Sequence, residues 1–262
     1  MKVYEKCDIR ECWANTGKNP IKTRWIDTNK TNDPVDENYR SRLVAKEYKT
    51  SERPKLYSGT PPVELIRMLI SKIADSQLDK QRWCPKYFAN ENKQDIVFLY
   101  ADISRAYFNA PAPQYKYIEV PEEDLQPGED KNKLCARLNV AMYGTRDAAL
   151  AWEKHYSSFL EIIGFKRSIG CQNAFYHDAR AIRIIVHGDD FLAGGPETEM
   201  NKFKREMSNK YEAKHQMIGP GRHHLKKMKV LNREIEWPEK KIAMGESMNK
   251  TDMKAMVIVI HH

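Results

Sequence analysis

An apolar run that breaks at two adjacent aspartates constrains this chain more than any other feature. The run reads Arg183-Ile184-Ile185-Val186-His187-Gly188-Asp189-Asp190-Phe191-Leu192-Ala193-Gly194-Gly195. Apolar residues on both sides predict two strands of a hairpin, with His187-Gly188-Asp189-Asp190 at the turn. Two like charges side by side cost free energy unless a cation sits between them. The usual cation for an all-oxygen site is Mg²⁺, which keeps several waters and takes one or two carboxylates plus substrate phosphates. Aspartate is also an ordinary turn residue, so the pair alone does not decide the matter.

A second strand supplies another carboxylate. Asp95-Ile96-Val97-Phe98-Leu99-Tyr100-Ala101-Asp102 is strongly apolar, ends in an aspartate and runs into Ala106-Tyr107-Phe108. Metal-dependent nucleotidyl transfer needs carboxylates on neighbouring strands, so that two ions can be bridged about 3.5–4 Å apart. Asp102 on one strand and Asp189-Asp190 on a hairpin beside it meet that requirement. Taken alone, Asp102 reads equally as a strand-terminal helix cap.

These segments resemble a known family. Asp102-Ile103-Ser104-Arg105-Ala106-Tyr107-Phe108 is similar to the first palm motif of retroviral-type reverse transcriptases, and His187-Gly188-Asp189-Asp190 to their aromatic-x-Asp-Asp box. Upstream, Lys22-Thr23-Arg24-Trp25 and Arg40-Ser41-Arg42-Leu43-Val44-Ala45-Lys46 resemble the fingers pattern of Ty1/copia retrotransposons. Leu138-Asn139-Val140-Ala141-Met142-Tyr143-Gly144 through Trp152 resembles that group's Leu-Tyr-Gly segment. The motifs occur in family order, from about Lys22 to about Gly245.

The resemblance implies an α+β right-hand polymerase fold, with fingers and a ferredoxin-like palm and the thumb partial or missing. It implies an RNA-directed DNA polymerase that adds dNTPs to a primer 3′-hydroxyl on an RNA or DNA template, using two Mg²⁺ ions, with Mn²⁺ as a substitute. The metal ligands and catalytic residues would be Asp102, Asp189 and Asp190. The dNTP would be met by Arg40, Arg42 or Lys46 from a basic fingertip hairpin, by Tyr107 under the sugar and by Gly144. Tyr107 also reads as ordinary aromatic core, and Gly144 as a plain turn. An alternative is a catalytically inactive, truncated remnant that only binds nucleic acid. A nuclease or nucleotidyl cyclase on a similar palm is a third reading, opposed by the fingers-like segment, Tyr107 and Tyr143-Gly144. The chain departs from the family at His187 (usually Tyr), at Gly188 (usually Val or Met) and at Thr145, Asp147 and Ala149, which weakens the case for a basic template contact in that run.

Charge and composition fit a polyanionic partner. The net charge is +8, and the excess gathers in Lys22–Lys55 and Lys202–Lys229, where phosphate contacts would release counterions. No stretch approaches the about 18 apolar residues of a membrane span, and the first residues lack an apolar signal region. Five scattered cysteines suit a reducing compartment. The expectation is an intracellular protein, in a cytoplasmic particle or the nucleus, with no membrane contact.

Along the chain, residues 1–20 show no period and are expected to be irregular. Residues 21–94 would be fingers, with strands over 21–26 and 41–48 and a helix over 63–79 that follows Pro61-Pro62. Residues 95–211 would be palm, with part of 111–150 returning to the fingers. Within the palm, helices are expected over 147–163 and 197–211 and strands over 174–176 and 182–186. Residues 212–247 would begin a thumb or connection, followed by an atypical tail over 248–262.

Overall fold

The computed structural model describes residues 2–29, 31, 38–48, 59–89, 94–112 and 115–237. In chain order these form β1 (Tyr4–Asp8), α1 (Ile9–Thr16), β2 (Thr23–Asn29), β3 (Tyr39–Ala45), α2 (Val63–Leu78), β4 (Ile96–Ile103), β5 (Tyr117–Ile118) and β6 (Leu134–Leu138). There follow α3 (Ala148–Ile162), β7 (Lys166–Arg167), β8 (Ala174–His177), β9 (Ile182–His187), β10 (Asp190–Pro196), α4 (Glu197–Lys210), β11 (Ala213–Ile218), β12 (Lys227–Val230) and β13 (Arg233–Glu236). Two units share the chain: Met1–Ser58 with Arg105–Ser157, and Gly59–Ser104 with Ser158–His262.

The second unit is built on a six-stranded antiparallel sheet in the order β11-β4-β10-β9-β8-β7. Alternation along β4 and β10 sorts their side chains between two covered faces. Ile96, Phe98, Leu192 and Ile185 form one core with Ile66, Leu69 and Ile73 of α2, the β12–β13 hairpin and Trp83. Each fully buried aliphatic side chain here contributes about 1.5–3 kcal/mol. On the other face, α4 buries Met200, Phe203 and Met207, and the Phe203 ring lies 5.4 Å from that of Phe165. Gly194 and Gly195 let both layers close. A Cβ on Gly194 would stand 2.8 Å from Ile73 Cδ1 and 2.9 Å from Trp83 Cη2, and one on Gly195 would stand 3.0 Å from Met200 Sδ.

The first unit holds a three-stranded sheet, β1-β6-β5, and the β2–β3 ribbon. Ala45, Ile118, Val120, Ala136, Leu138 and Met142 make its core.

Two expectations need correction. Residues 1–20 are not irregular. β1 pairs with β6 over five residues, and α1 is capped by the Asp8 carboxylate, which accepts from the Arg10 amide, and by Gly17 at φ 65. The period is hidden because β1 is an edge strand with polar side chains tied across it, Arg137 to Glu5 and Lys6 to Glu129, and because α1 buries only Cys12. Within the span expected to begin a thumb or connection, residues 213–218 instead form the edge strand β11 of the six-stranded sheet, paired along β4. Its core-facing side chains are mostly half-buried, so the apolar signal is weak. The tail over 248–262 and the middle of the loop after β2, with Asp33-Pro34, lie outside the described residues.

Gly194→Ala is expected to destabilise the chain by about 1–3 kcal/mol, because the buried Trp83 has little room to retreat. A lower urea midpoint at unchanged slope is the readout. An unchanged midpoint would show that α2 does not press on β10 as described.

Candidate functional site

β4 and β10 run antiparallel with Asp190 directly opposite Asp102. The next strands continue that row, Lys214 of β11 opposite Asp102 and His187 of β9 opposite Asp190. Directly opposed residues point to the same face, so one line across the sheet reads Lys214, Asp102, Asp190, His187. Asp189 sits in the two-residue turn between β9 and β10, and its carbonyl accepts from the Ile103 amide at 3.0 Å. The turn needs positive φ at its first central residue, and Gly188 supplies it at φ 66. A Cβ at Gly188 would meet nothing within 4 Å, so backbone conformation and not space is what selects glycine.

Electrostatically the row is in conflict. Burial raises Asp190 above the usual carboxylate range, and the charges of Asp189 and Asp102 add to it, against a hydrogen bond from Tyr100. The Tyr100 hydroxyl donates to Asp190 Oδ1 at 2.5 Å. Burial, that hydrogen bond and the neighbouring carboxylates push Tyr100 far up, so it stays a donor. The carboxylates of Asp102 and Asp189 make no hydrogen bond or ion pair among the described residues, and their lone pairs are open. The three carboxylates are not drawn together within 4.8 Å. The donor set is all oxygen and suits a hard divalent cation.

The remaining predicted residues lie in the first unit. Arg40 and Arg42 share one face of the β2–β3 ribbon, opposite Thr28 and Ile26. Leu43 and Ala45 turn the other way into the core. Lys46 follows, its amide bonded to the Lys22 carbonyl at 2.7 Å. None of these three cations makes an ion pair among the described residues. The Tyr107 ring lies 4.5 Å from Tyr143. Gly144 is held against the end of β3: Ala45 donates to the Tyr143 carbonyl at 2.8 Å and Glu47 to the Gly144 carbonyl at 3.3 Å. Its φ is 86, and a Cβ would stand 2.0 Å from the Ala45 carbonyl oxygen, so this glycine serves close backbone packing. Asp147, one of the departures from the family pattern, pairs with Lys116 at 3.1 Å, which also reaches both oxygens of Glu47 at 2.9 Å.

Two residues escaped the reading of the sequence. Tyr100 precedes Asp102 by two positions, so strand alternation could have placed it on the carboxylate face. Lys214 carries no local signal; only the register of β11 brings it opposite Asp102.

Comparison with known proteins bears on the family. A profile of the family described as reverse transcriptase (RNA-dependent DNA polymerase) matches residues 12–225. The chain is 22% identical over 212 residues to the retrovirus-related Pol polyprotein from transposon TNT 1-94 of Nicotiana tabacum, covering 78% of this chain and 14% of that one. It is 26% identical over 182 residues to the Pol polyprotein from transposon RE2 of Arabidopsis thaliana, covering 68% and 11%. A putative transposon Ty5-1 protein of Saccharomyces cerevisiae is 28% identical over 116 residues, covering 43% and 37%. The chain thus spans well under a fifth of the two plant polyproteins. No described helix is long and apolar enough to cross a membrane.

The charge conflict predicts a stabilising substitution. Asp190→Asn keeps an acceptor for Tyr100 and removes one charge. A carboxyl raised by the fold contributes stability that is full below its unfolded value, about 3.9, and is lost as pH rises through the raised folded value. The variant should therefore melt higher than the parent at pH 7 in EDTA, with the difference fading below about pH 4. A difference that does not change with pH would rule out charge as its cause.

Proposed function

The chain belongs to the reverse transcriptase (RNA-dependent DNA polymerase) family, of the Ty1/copia retrotransposon type, and on that premise we propose that it carries a two-metal nucleotidyl-transfer centre. The observation that carries the proposal is the register of Asp102 against Asp190, with Asp189 in the adjoining turn. The reaction is extension of a primer 3′-hydroxyl by dNTPs on an RNA or DNA template. The strand order β11-β4-β10-β9, with α3 and α4 in the connections, supports a ferredoxin-like palm for the second unit. The first unit, with its basic β2–β3 ribbon, is then the fingers.

Asp102 and Asp189, whose carboxylates are open, are the metal ligands in this reading. Asp190, bound by Tyr100, contributes its charge and holds the third position. Two Mg²⁺ ions, or Mn²⁺ in their place, would activate the 3′-hydroxyl and neutralise the triphosphate when bound. Phosphoryl transfer needs positioning and charge neutralisation more than covalent help. Arg40, Arg42 and Lys46 offer unpaired cations for triphosphate oxygens, with Arg giving a planar fork. Tyr107, packed at a tilt against Tyr143, would sit under the sugar and exclude a 2′-hydroxyl.

Primer extension on poly(rA)·oligo(dT) with dTTP and Mg²⁺ or Mn²⁺ tests this directly. Metal-dependent incorporation is expected, and Asp189→Asn should reduce it at least about a hundredfold. Incorporation that survives the substitution would sink the assignment. No incorporation by the parent, with salt-sensitive binding of template–primer retained, would instead favour the inactive remnant.

A further inference from the structure

Glu197 is the first residue of α4, while His223 and His224 lie in the turn between β11 and β12. Among the described residues, these three form a group of potential metal ligands whose donor atoms all lie within 4.8 Å of one another. Glu197 Oε1 is 2.7 Å from His223 Nε2 and 3.3 Å from His224 Nε2. We propose that Glu197, His223 and His224 form a binding site for a borderline divalent transition ion, zinc foremost, that clips the β11–β12 turn to the start of α4.

Three observations point this way. The first is spacing. Ligands about 2.0–2.1 Å from a tetrahedral ion stand roughly 3.3 Å apart; His224 Nε2 already stands 3.3 Å from Glu197 Oε1, and the exposed His223 ring, at 2.7 Å, would move outward to admit the ion. The second is an unanswered buried atom. The His224 side chain is 2% exposed, and its Nε2 has no hydrogen-bond partner among the described residues. Such a buried orphan costs roughly 1–3 kcal/mol. It stands 3.3 Å from the same Glu197 oxygen that His223 contacts, outside hydrogen-bond geometry. A carboxylate in the first turn of α4 needs no metal, since it favours the helix dipole by itself; two histidines converging on it are what that role leaves unexplained.

The third observation is the packing that holds the turn beside Glu197. Lys226 Nζ donates to the carbonyls of Gly219, Pro220 and Gly221 at 2.9, 3.1 and 2.9 Å. A Cβ at Gly219 would stand 2.7 Å from His224 Nδ1, and one at Gly221 2.8 Å from His223 Cε1, so glycine is what lets the rings lie there. On the other side, the Glu197 amide is fixed to the Asp95 carbonyl at 2.9 Å. His223, 68% exposed, leaves an open side for water as a fourth ligand. Two imidazoles and one carboxylate favour zinc over magnesium. Loading moves the His224 proton to Nδ1, which now accepts from the Gly221 amide at 3.1 Å. That amide must turn aside, and glycine has the freedom to do so. The cluster lies beyond the far end of β10 from Asp190, about 20 Å along an extended strand, and is separate from the carboxylate row.

Titration of the full chain with Co²⁺, in buffer containing Mg²⁺ and a thiol reductant, reads the site through its visible absorption. One ion is expected to bind, to be displaced by Zn²⁺, and to bind at least about tenfold more weakly in His223→Ala and in Glu197→Gln. Zn²⁺ should raise the melting temperature of the parent and not of these variants. His223 is exposed, Glu197 is part-buried and its change to Gln keeps its size, and equal melting of variants and parent in EDTA verifies their folding. Both should also retain the parent's primer-extension behaviour. Equal Co²⁺ affinity in parent and variants would overturn the proposal and place any bound ion elsewhere, with His261→Ala and His262→Ala reporting on the terminal pair.

Discussion

Asp102 and Asp190 face each other across two antiparallel strands, and two ionised carboxylates in that position repel. The register that imposes this runs through seven consecutive pairs, from Asp190 with Asp102 to Pro196 with Ile96. A slip of one residue would send Asp190 to the opposite face and carry Leu192 out of the core. Apolar burial therefore holds the charges together. Leu192 and Phe98 share one cluster with α2, and no rearrangement could separate the aspartates without opening it. Asp190, raised by burial and by its neighbours, is where the opposing terms meet. Such local conflict, sustained by the surrounding core, is common where a protein prepares a site for something it binds.

Glycine enters the structure for different reasons, and they should be kept apart. At Gly188 the turn requires φ 66 in open surroundings. The departure from the bulkier residue usual in the family thus removes backbone strain while leaving the turn intact. At Gly144 the backbone of Ala45 occupies the space a side chain would need. That contact joins the end of β3 to the Tyr143-Gly144 segment. At Gly194 and Gly195 the need is for helices on both sides of one strand.

Strong apolar strands and long amphipathic helices were legible in the sequence. β4, β9, β10, α2, α3 and α4 lie within a few residues of their expected spans, because each buries side chains with a clear period. The hairpin turn was legible from Gly188-Asp189 between apolar runs. What stayed hidden was held by long-range pairing. β1 and β11 are edge strands with little periodicity of their own, defined by partners 110 or more residues away. For the same reason Lys214 could not be seen beside Asp102. The caps of α1, Asp8 and Gly17, were readable in principle, but a single buried cysteine gives no face to anchor a helix.

Asp147 shows how a departure from a family pattern can be explained by its surroundings. Position 147 stands beside Lys116, which bonds both Asp147 and Glu47. All three side chains are at least four-fifths buried, where an unpaired charge is costly. Burial opposes the ionisation of Glu47, yet the Arg146 amide and Lys116 win and hold its carboxyl below the usual range. With Glu47 ionised, Lys116 lies between two carboxylates, and a cation at position 147 would set like charges against each other. The change at 147 therefore makes sense only together with Glu47 and Lys116. The side chain at 147 is thus committed to the Lys116 network.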